Sequence, residues 1–347
     1  MISWAVPDFR GGANLHGIRA RCPMSPTSPI QDLPRSCGGT GLHITAWTSA
    51  LFLICDLAGW PRPMTEAFSV MRPAIVAVIL ATLCILWLMR LPRPGGVTFL
   101  LPLTLLACWQ MRPGPLATPE TASALTLYQK NLLASAHASS ALEHDIGLWN
   151  ADIVTLQEIS PRNRDILDRL RSRLPHQASC PSRRELDVAI LSRFPLENVT
   201  CAPRAVGAIA STHAGDLVVA SFRLYWPWPW RHIPDHPPQA AQAREISEMI
   251  LSLRERGTQS APRDAVLGAD FNAPSWSATS RRLAQDTDGR PVQYAGASYA
   301  FAEVGSFTIG PRIDHVMVPR AWEARAARRG FLGSDHAGLV VQVDFER

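Results

Sequence analysis

Two uncharged apolar runs in the first third of this chain constrain its fold more than any other feature. The first spans Pro73–Met89, the second spans Val97–Met111, and the short loop between them begins at Arg90 and contains Arg93. A helix that crosses a bilayer needs about 20 apolar residues, within a range of roughly 17–25. The first run reaches that length, and the second is short and contains Pro102, which membrane helices tolerate. The pair predicts a helical hairpin in a membrane.

A third apolar stretch, Leu42–Trp60, is a weaker candidate because Asp56 interrupts it. We therefore predict two or three transmembrane helices within residues 42–112. The alternative is that these segments are buried core helices. The arginine-flanked turn between the two uncharged runs favours the membrane hairpin.

The distribution of arginine predicts the side of the membrane on which the rest of the chain lies, because cytoplasmic loops carry an excess of Lys and Arg. With three spans and a cytoplasmic N-terminus, the inner side holds Arg10, Arg19, Arg21, Arg35, Arg90 and Arg93, and the outer side holds Arg62, Arg72 and Arg112. This bias places the C-terminal part outside the cytoplasm. With only two spans, that part would lie on the same side as the N-terminus.

Composition divides the remainder of the chain into three parts. Residues 1–41 are rich in Pro, Gly and Ser and show no periodicity, so we expect little order there. Residues 113–120 have the composition of a short linker. Residues 121–347 form the predicted soluble domain.

The charge of the soluble domain bears on its partners. The formal net charge of the chain is +5, but residues 1–120 hold nine basic and five acidic residues, so the domain is nearly neutral. It therefore has no overall basic excess with which to bind a nucleic-acid backbone. The sequence leaves open whether basic residues form local patches on its surface.

Two of the seven cysteines, Cys180 and Cys201, lie in the soluble domain. Such a pair can form a disulfide in an oxidising compartment. The sequence leaves open whether these two thiols pair, and their spacing does not indicate a zinc site.

Short apolar strands alternate with helical patterns from residue 121 to the C-terminus. The predicted strands are Leu125–Leu133, Asp152–Leu156, Val188–Leu191, Leu217–Leu224, Ala265–Gly268, Ile313–Val318 and Leu339–Val343. The predicted helices are one at the capping box Ser140–Glu143, then Arg162–Leu174 and Ala240–Arg256. Apolar strand runs indicate burial on both faces, which is typical of a layered α/β sandwich.

Acidic and amide side chains stand where the predicted strands begin or end. These positions are Asn131, Gln157–Glu158, Asp270–Asn272, Asp314–His315 and Asp335–His336. A carboxylate in an apolar setting is costly unless it is paired or binds a cation. Each position alone has a simpler explanation as a turn or a helix cap, but five of them in one chain indicate a shared site.

The chemistry of these side chains is coherent. Glu158 and Asp335 offer hard oxygen ligands, which suit Mg²⁺ or Mn²⁺. Asp270 is a candidate base for deprotonating water, and Asn272 is a candidate for fixing its position. An imidazole can donate to a phosphate oxygen as charge develops there, and a carboxylate commonly orients such an imidazole. His336 and Asp314 are the candidates for these two roles.

The same segments resemble the signature blocks of the endonuclease/exonuclease/phosphatase superfamily, also called deoxyribonuclease-I-like. The similar segments are Gln157–Glu158, Gly268–Asn272, Ile313–Val316, Ser334–His336, the strand-end Asn131 and the strand Leu186–Arg193. The resemblance covers nearly the whole soluble domain. It implies a four-layer α/β sandwich and divalent-metal-dependent hydrolysis of phosphoesters. The preceding helices and the tryptophans at Trp226–Trp230 are similar to a bacterial membrane-anchored subgroup, which implies the inner membrane.

The resemblance also implies roles for individual residues. It implies Glu158 as metal ligand, Asp335 as a second metal-side carboxylate and Asp270 as base or metal-side carboxylate. It also implies Asn131 and Asn272 as positioners of phosphate or water, and Asp314 with His336 as an acid–imidazole pair. The implied substrate is a phosphoester in a nucleic acid, a phospholipid headgroup or an inositol phosphate. No protein partner is implied.

Two departures from the family pattern raise an alternative. Arg223 stands where the family has a histidine that contacts the scissile phosphate. As a candidate catalytic residue, Arg223 can still stabilise phosphate charge, but it cannot act as a general acid at neutral pH. Ala269 is inserted relative to the common Gly-Asp pair, which would shift the strand register unless a bulge absorbs it. The alternative function is a non-catalytic binding module that keeps the fold.

Overall fold

The computed structural model describes residues 35–58, 63–89, 97–111, 125–181, 186–213, 215–227, 238–256, 263–304 and 307–344. The predicted linker 113–120 lies outside the described residues, as do most of the segment 1–41 and the tryptophans Trp228 and Trp230.

Three helices form the N-terminal region: α1 (Arg35–Leu57), α2 (Pro63–Leu88) and α3 (Val97–Met111). Helix α1 begins inside the segment for which little order was expected. By length and composition, Thr40–Leu57 and Glu66–Leu88 are long and apolar enough to cross a membrane, whereas α3 is shorter.

The structure explains how a carboxylate fits among these apolar helices. Asp56 of α1 is buried, and it accepts hydrogen bonds from Ser69 and from Arg72 of α2. The Arg72 Nη1 atom also donates to Gln110 Oε1 of α3 at 2.6 Å. A buried charge is tolerated when it is paired and hydrogen-bonded. Asp56, which made the third predicted span the weakest candidate, thus links the three helices through Arg72.

Residues 125–344 contain two six-stranded sheets. The first sheet has the order β13-β14-β1-β2-β4-β3, and the second has the order β5-β6-β7-β8-β12-β9. The strands are β1 (Leu125–Asn131), β2 (Ile153–Gln157), β3 (His176–Pro181), β4 (Leu186–Ser192), β5 (Leu196–Ala202), β6 (Ala205–Thr212), β7 (Gly215–Arg223), β8 (Ala265–Asp270), β9 (Gly289–Pro291), β10 (Ala302–Val304), β11 (Phe307–Ile309), β12 (Asp314–Pro319), β13 (Glu323–Arg328) and β14 (Leu339–Asp344). Strands β10 and β11 form a separate hairpin.

Helices cover the outer face of each sheet. Helices α4 (Ser140–Leu148) and α5 (Asp165–Leu170) pack through Leu142 and Ile166 onto the first sheet. Helices α6 (Gln239–Glu255) and α7 (Ala278–Asp286) pack through Ile250 and Leu283 onto the second sheet. The inner faces of the two sheets share one apolar core. The predicted four-layer α/β sandwich is confirmed.

Several local predictions need correction. The side chain that caps α4 is Ser139, which accepts from the Leu142 backbone, and not Ser140. Helix α5 is shorter than the predicted Arg162–Leu174, because turns flank it on both sides. Ala269 causes neither a register shift nor a bulge, since β8 pairs continuously with both β7 and β12.

The two cysteines of the soluble domain form a disulfide. Cys180 lies on β3 and Cys201 on β5, and their Cα atoms are 5.8 Å apart. Because β3 is an edge strand of the first sheet and β5 an edge strand of the second, the bond joins the two sheets at one side of the sandwich.

The α/β domain contacts one end of the helical region directly. Trp276, in the segment between β8 and α7, donates from its indole to the Ser69 backbone oxygen at 3.0 Å. Thr279 donates its backbone N–H and its hydroxyl to Glu66 Oε1 at 2.8 and 2.9 Å. Arg312 donates to the Met111 oxygen at 2.6 Å. We call these contacts the helix–domain junction.

Candidate active site

The strand registers explain why distant polar residues meet at one edge of the sandwich. Strands β1 and β2 run parallel and end together, with Asn131 opposite Gln157. In the second sheet, Asp270 at the end of β8 lies opposite Arg223 at the end of β7. Asp270 is also opposite the first residue of β12, Asp314. The carboxyl ends of β1, β2, β7 and β8 and the amino end of β12 therefore bring side chains from both sheets to the same place.

Asn131 is the central residue of this group. Its amide Nδ2 donates to Glu158 Oε1 at 3.0 Å and to Asp270 Oδ2 at 3.0 Å, and it lies 3.4 Å from His336 Nε2. Its oxygen accepts from the Leu133 backbone at 3.0 Å, which fixes the amide orientation. One buried amide thus holds two carboxylates together beside the imidazole of His336.

Glu158 follows β2 in a left-handed backbone conformation, with φ of 56°. This conformation is uncommon for a residue with a side chain, and it recurs at functional sites. Its Oε2 atom accepts from the Ala134 backbone at 2.9 Å, and its Oε1 atom lies 2.9 Å from Arg223 Nη2. Burial alone raises the pKa of Glu158, but Arg223 and these hydrogen bonds outweigh burial and hold that pKa below its ordinary value.

Asp270 is fully buried, and its Oδ1 atom accepts from the Asn272 backbone at 2.8 Å. Burial raises its pKa to about 7, with Asp314 adding to the shift and His336 opposing it. A base whose pKa lies near the working pH is well matched to proton transfer.

His336 and Asp314 form the imidazole–carboxylate pair that the sequence predicted. Nδ1 of the imidazole lies 2.8 Å from Asp314 Oδ2, while Asp314 Oδ1 accepts from Gln129 at 3.0 Å. Burial lowers the pKa of His336, but Asp314 and Asp270 outweigh burial and raise it to about 9. At neutral pH the ring is therefore charged and can donate a proton from Nε2.

Two of the predicted residues occupy different surroundings. The Asn272 side chain donates to the Leu224 oxygen at 2.7 Å, so its amide fixes the loop after β8. Asp335 lies at the rim, with its side chain 36 % exposed and Oδ1 3.9 Å from His336 Nε2. Among the described residues, the tight group of potential metal ligands is Glu158, Asp270 and His336, whose ligand atoms all lie within 4.8 Å of one another.

Sequence reasoning missed a buried polar layer beneath the site. Gln129 donates to Gln157 at 2.8 Å, and Gln157 donates to Ser221 and to the Gly268 oxygen, both at 3.0 Å. The contacts of Gln157 with Ser221 and Gly268 cross from the first sheet to the second. The pattern that could have revealed this layer is the presence of polar residues at inward-facing positions of otherwise apolar strands.

Lys130 and Tyr299 were also missed. Lys130 is buried and donates to the backbone oxygens of Phe331 and His336. Burial lowers its pKa to about 7. The Tyr299 ring lies 4.9 Å from the His336 ring and 6.2 Å from that of Trp226, so an aromatic wall adjoins the imidazole.

The chemistry of the site residues fits a hard divalent cation. Glu158 and Asp270 offer carboxylate oxygens, which Mg²⁺ and Mn²⁺ prefer. The two carboxylates lie close enough to share one ion, since both accept from the same Asn131 amide. The guanidinium of Arg223 lies beside both acids, 3.6 Å from Asp270 Oδ2 through its Nε atom.

Comparison with known proteins finds one family model that covers most of the α/β domain. The model of the Endonuclease/Exonuclease/phosphatase family matches residues 125–336. A comparison with curated proteins gave no match.

Several solved structures are similar to the α/β domain. Truncated Caenorhabditis elegans TDP2 has 14% identity and a TM-score of 0.48, covering 63% of this chain and 97% of its own. The human Nocturnin catalytic domain with bound sulfate has 16% identity and a TM-score of 0.49, covering 64% and 94%. A mannosyl-6-phosphatase from Bacteroides thetaiotaomicron has 13% identity and a TM-score of 0.46, covering 64% and 100%.

Proposed function

Because this chain belongs to the endonuclease/exonuclease/phosphatase family, we propose that it is a divalent-metal-dependent phosphoester hydrolase anchored in a membrane. One observation carries the proposal: Glu158, Asp270 and His336 converge within 4.8 Å of one another. A base, a charged hydrogen-bond donor and cation ligands in one place are what attack of water on a phosphoester requires.

The site residues have the following roles in the proposed reaction. Glu158 and Asp335 are the proposed metal ligands, and Asp270 lies close enough to share the ion. A bound Mg²⁺ or Mn²⁺ would neutralise phosphate charge and stabilise the leaving oxygen. Asp270 accepts the proton of the attacking water, since burial raises its pKa to about 7. His336 donates from Nε2 to a non-bridging oxygen, while Asn131 holds both acids in place and Asn272 fixes the loop after β8.

The test is an assay of the full-length chain in nanodiscs. Bis-p-nitrophenyl phosphate, plasmid DNA and sphingomyelin would each be incubated with Mg²⁺, with Mn²⁺ and with chelator. We expect metal-dependent hydrolysis of at least one substrate, and loss of that activity by at least about 100-fold in Asp270→Asn and His336→Ala. Asp216→Asn and His213→Ala, which lie outside the site, are matched controls. Absence of metal-dependent turnover on all three substrates would favour the binding module.

We propose that helices α1 to α3 anchor the chain, with the α/β domain on the extracytoplasmic side of a bacterial inner membrane. Helix length supports the membrane anchor, and the disulfide supports the extracytoplasmic side. The helices Thr40–Leu57 and Glu66–Leu88 are long enough to span, and the disulfide of Cys180 with Cys201 is typical of an oxidising compartment. Protease added to intact spheroplasts is expected to digest the α/β domain. Protection of the domain until lysis would place it in the cytoplasm.

Among the candidate substrates, the helix–domain junction favours a phospholipid headgroup over nucleic acid or inositol phosphate. Trp276 contacts α2 and lies four residues after Asn272, and Arg312 contacts α3 and lies two residues before Asp314. Segments that carry site residues are thus fixed to the ends of the proposed membrane helices. Preference for sphingomyelin over plasmid DNA in the same assay is the expected result.

A further inference from the structure

Arg223 places a permanent positive charge inside the proposed metal site. Its Nη2 atom lies 2.9 Å from Glu158 Oε1, and its Nε atom lies 3.6 Å from Asp270 Oδ2. The side chain is only 24 % exposed. Glu158, a proposed metal ligand, and Asp270, which lies close enough to share the ion, therefore already have a cationic neighbour.

The oxygens of Glu158 are largely occupied without a metal. Oε1 is shared between Asn131 and Arg223, and Oε2 accepts from the Ala134 backbone. A divalent ion would have to compete with the guanidinium for Oε1. Because a guanidinium stays protonated at every pH at which proteins are folded, this competition is a fixed property of the site.

The guanidinium also has unused capacity for an anion. The Nε atom of Arg223 is buried and has no hydrogen-bond partner among the described residues, since 3.6 Å to Asp270 is too long for a good hydrogen bond. The planar fork of arginine matches the geometry of phosphate oxygens. A phosphate that enters the site gives Arg223 a new partner and offsets its repulsion of a second cation.

We propose that Arg223 is a resident cation of the site, so that a divalent metal ion and a phosphate group bind cooperatively rather than independently. Without phosphate, Arg223 neutralises Glu158 and Asp270 and weakens metal binding. With phosphate, Arg223 contacts the anion, and the carboxylates become available to the metal. By linkage, the metal strengthens phosphate binding by the same factor. The proposal rests on the metal site of the proposed function. Within that site, Arg223 has the role of coupling metal binding to phosphate binding.

The experiment measures binding rather than turnover. Mg²⁺ would be titrated calorimetrically into the full-length chain in detergent, with and without inorganic phosphate, for wild type, Arg223→Gln and Arg223→His. For wild type we expect phosphate to raise the Mg²⁺ affinity at least about fivefold, the lower end of typical coupling. For both variants we expect tighter Mg²⁺ binding without phosphate, and coupling below about twofold. The matched control is Arg193→His, an arginine that pairs with Asp152 outside the site.

Thermal unfolding supplies a second measurement that also reports folding of the variants. Removal of Arg223 takes the guanidinium away from Glu158 and Asp270 and leaves His336 as their cationic neighbour, so the variants should unfold at lower temperature in chelator. Mg²⁺ alone should restore much of that loss, whereas wild type should respond to Mg²⁺ mainly when phosphate is present.

The outcomes separate this proposal from the proposed function. If Mg²⁺ binding needs Glu158 but is the same in wild type and both Arg223 variants, with equal coupling to phosphate, the resident-cation role is wrong and the metal site stands. If neither wild type nor any Arg223 variant binds Mg²⁺ with or without phosphate, the metal site itself is wrong and both proposals fall.

Discussion

Asp314 Oδ2 lies 2.8 Å from His336 Nδ1, and this contact joins the first residue of β12 in the second sheet to the segment that leads into β14 of the first. The carboxylate is itself held by Gln129, which donates to its other oxygen. The imidazole is thereby fixed with Nε2 toward Asn131, 3.4 Å away. Because this pair bridges the two sheets, the orientation of the charged ring depends on how the two sheets pack against each other.

This pair predicts the pH dependence of hydrolysis. The base Asp270 must be deprotonated and His336 protonated, and their pKa values are raised to about 7 and about 9. The rate should therefore rise with pH through about 7 and fall again through about 9. Asp314→Asn removes the carboxylate that chiefly keeps the ring charged, so the alkaline limb should move to lower pH. A pH–rate profile with bis-p-nitrophenyl phosphate measures both limbs.

The control for that profile is Asp216→Asn, which removes a carboxylate far along β7 and should leave both limbs in place. An alkaline limb that stays near 9 in Asp314→Asn would contradict the assignment of that limb to His336.

Lys130 predicts a second, independent pH effect, on stability. Burial lowers its folded-state pKa from 10.5 to about 7. Between those values the unfolded chain holds a proton that the folded chain lacks, so the free energy of unfolding should increase with pH from about 7 to about 10.5. The slope from this residue reaches about 1.4 kcal/mol per pH unit in mid-range. Urea unfolding of wild type and Lys130→Met across that range measures the difference.

Lys130→Met should lose that part of the slope. It should also be less stable at high pH, because the oxygens of Phe331 and His336 lose a donor. Parallel pH dependences for the two proteins would show that the amine is already charged in the fold.

The disulfide predicts a stability contribution that is separate from catalysis. Cys180 and Cys201 are 21 residues apart in the chain and join edge strands of the two sheets. A cross-link of this loop length typically contributes about 3 kcal/mol by constraining the unfolded chain. Double replacement by serine should lower the free energy of urea unfolding by about that amount. Activity at low temperature should persist, because the bond joins edge strands that carry none of the candidate site residues.

Reductant provides the matched comparison for the disulfide. Wild type with dithiothreitol should resemble the double serine variant, and the variant itself should not respond. Equal stability of oxidised and reduced wild type would contradict a stabilising role.

The sequence was sufficient to predict which polar side chains at strand ends lie together. Asn131, Glu158 and Asp270 each interrupt an apolar strand pattern, and parallel or antiparallel pairing brings such positions together once the sheet order is known. The buried layer of Gln129 and Gln157 escaped, although Gln157 stands out at the end of β2, because its key contacts cross the sandwich. Gln129 donates to Asp314, and Gln157 donates to Ser221 and to the Gly268 oxygen, so only the packing of the two sheets shows these hydrogen bonds.

The sequence did not predict the short length of α5 or the capping role of Ser139, and the reason is local. Propensity and spacing do not decide between adjacent serines or fix where a turn replaces a helical hydrogen bond. Likewise, the pairing of Cys180 with Cys201 depends on two edge strands lying face to face, which no spacing along the chain specifies.

The helix–domain junction predicts that membrane contact and catalysis are linked through Glu66. This buried side chain accepts two hydrogen bonds from Thr279 at the start of α7, where the helix dipole favours a negative charge. Loss of hydrogen bonds to a charged group typically costs about 1.5–3 kcal/mol, which is enough to loosen the orientation of the α/β domain on the helices. We expect Glu66→Ala to reduce turnover of sphingomyelin in nanodiscs roughly tenfold, the factor that corresponds to about 1.4 kcal/mol. Turnover of soluble bis-p-nitrophenyl phosphate should change much less, because the site itself stays intact.

Glu197→Ala, an exposed glutamate on β5, is the matched control and should leave both rates unchanged. Thr279→Val removes only the hydroxyl donor and should give a smaller loss on sphingomyelin than Glu66→Ala. If Glu66→Ala lowers both rates equally, the junction supports folding of the site rather than its orientation at the membrane. An unchanged sphingomyelin rate would show that the anchor acts only as a tether, because the strength of the junction would then have no influence on how the site meets a lipid surface.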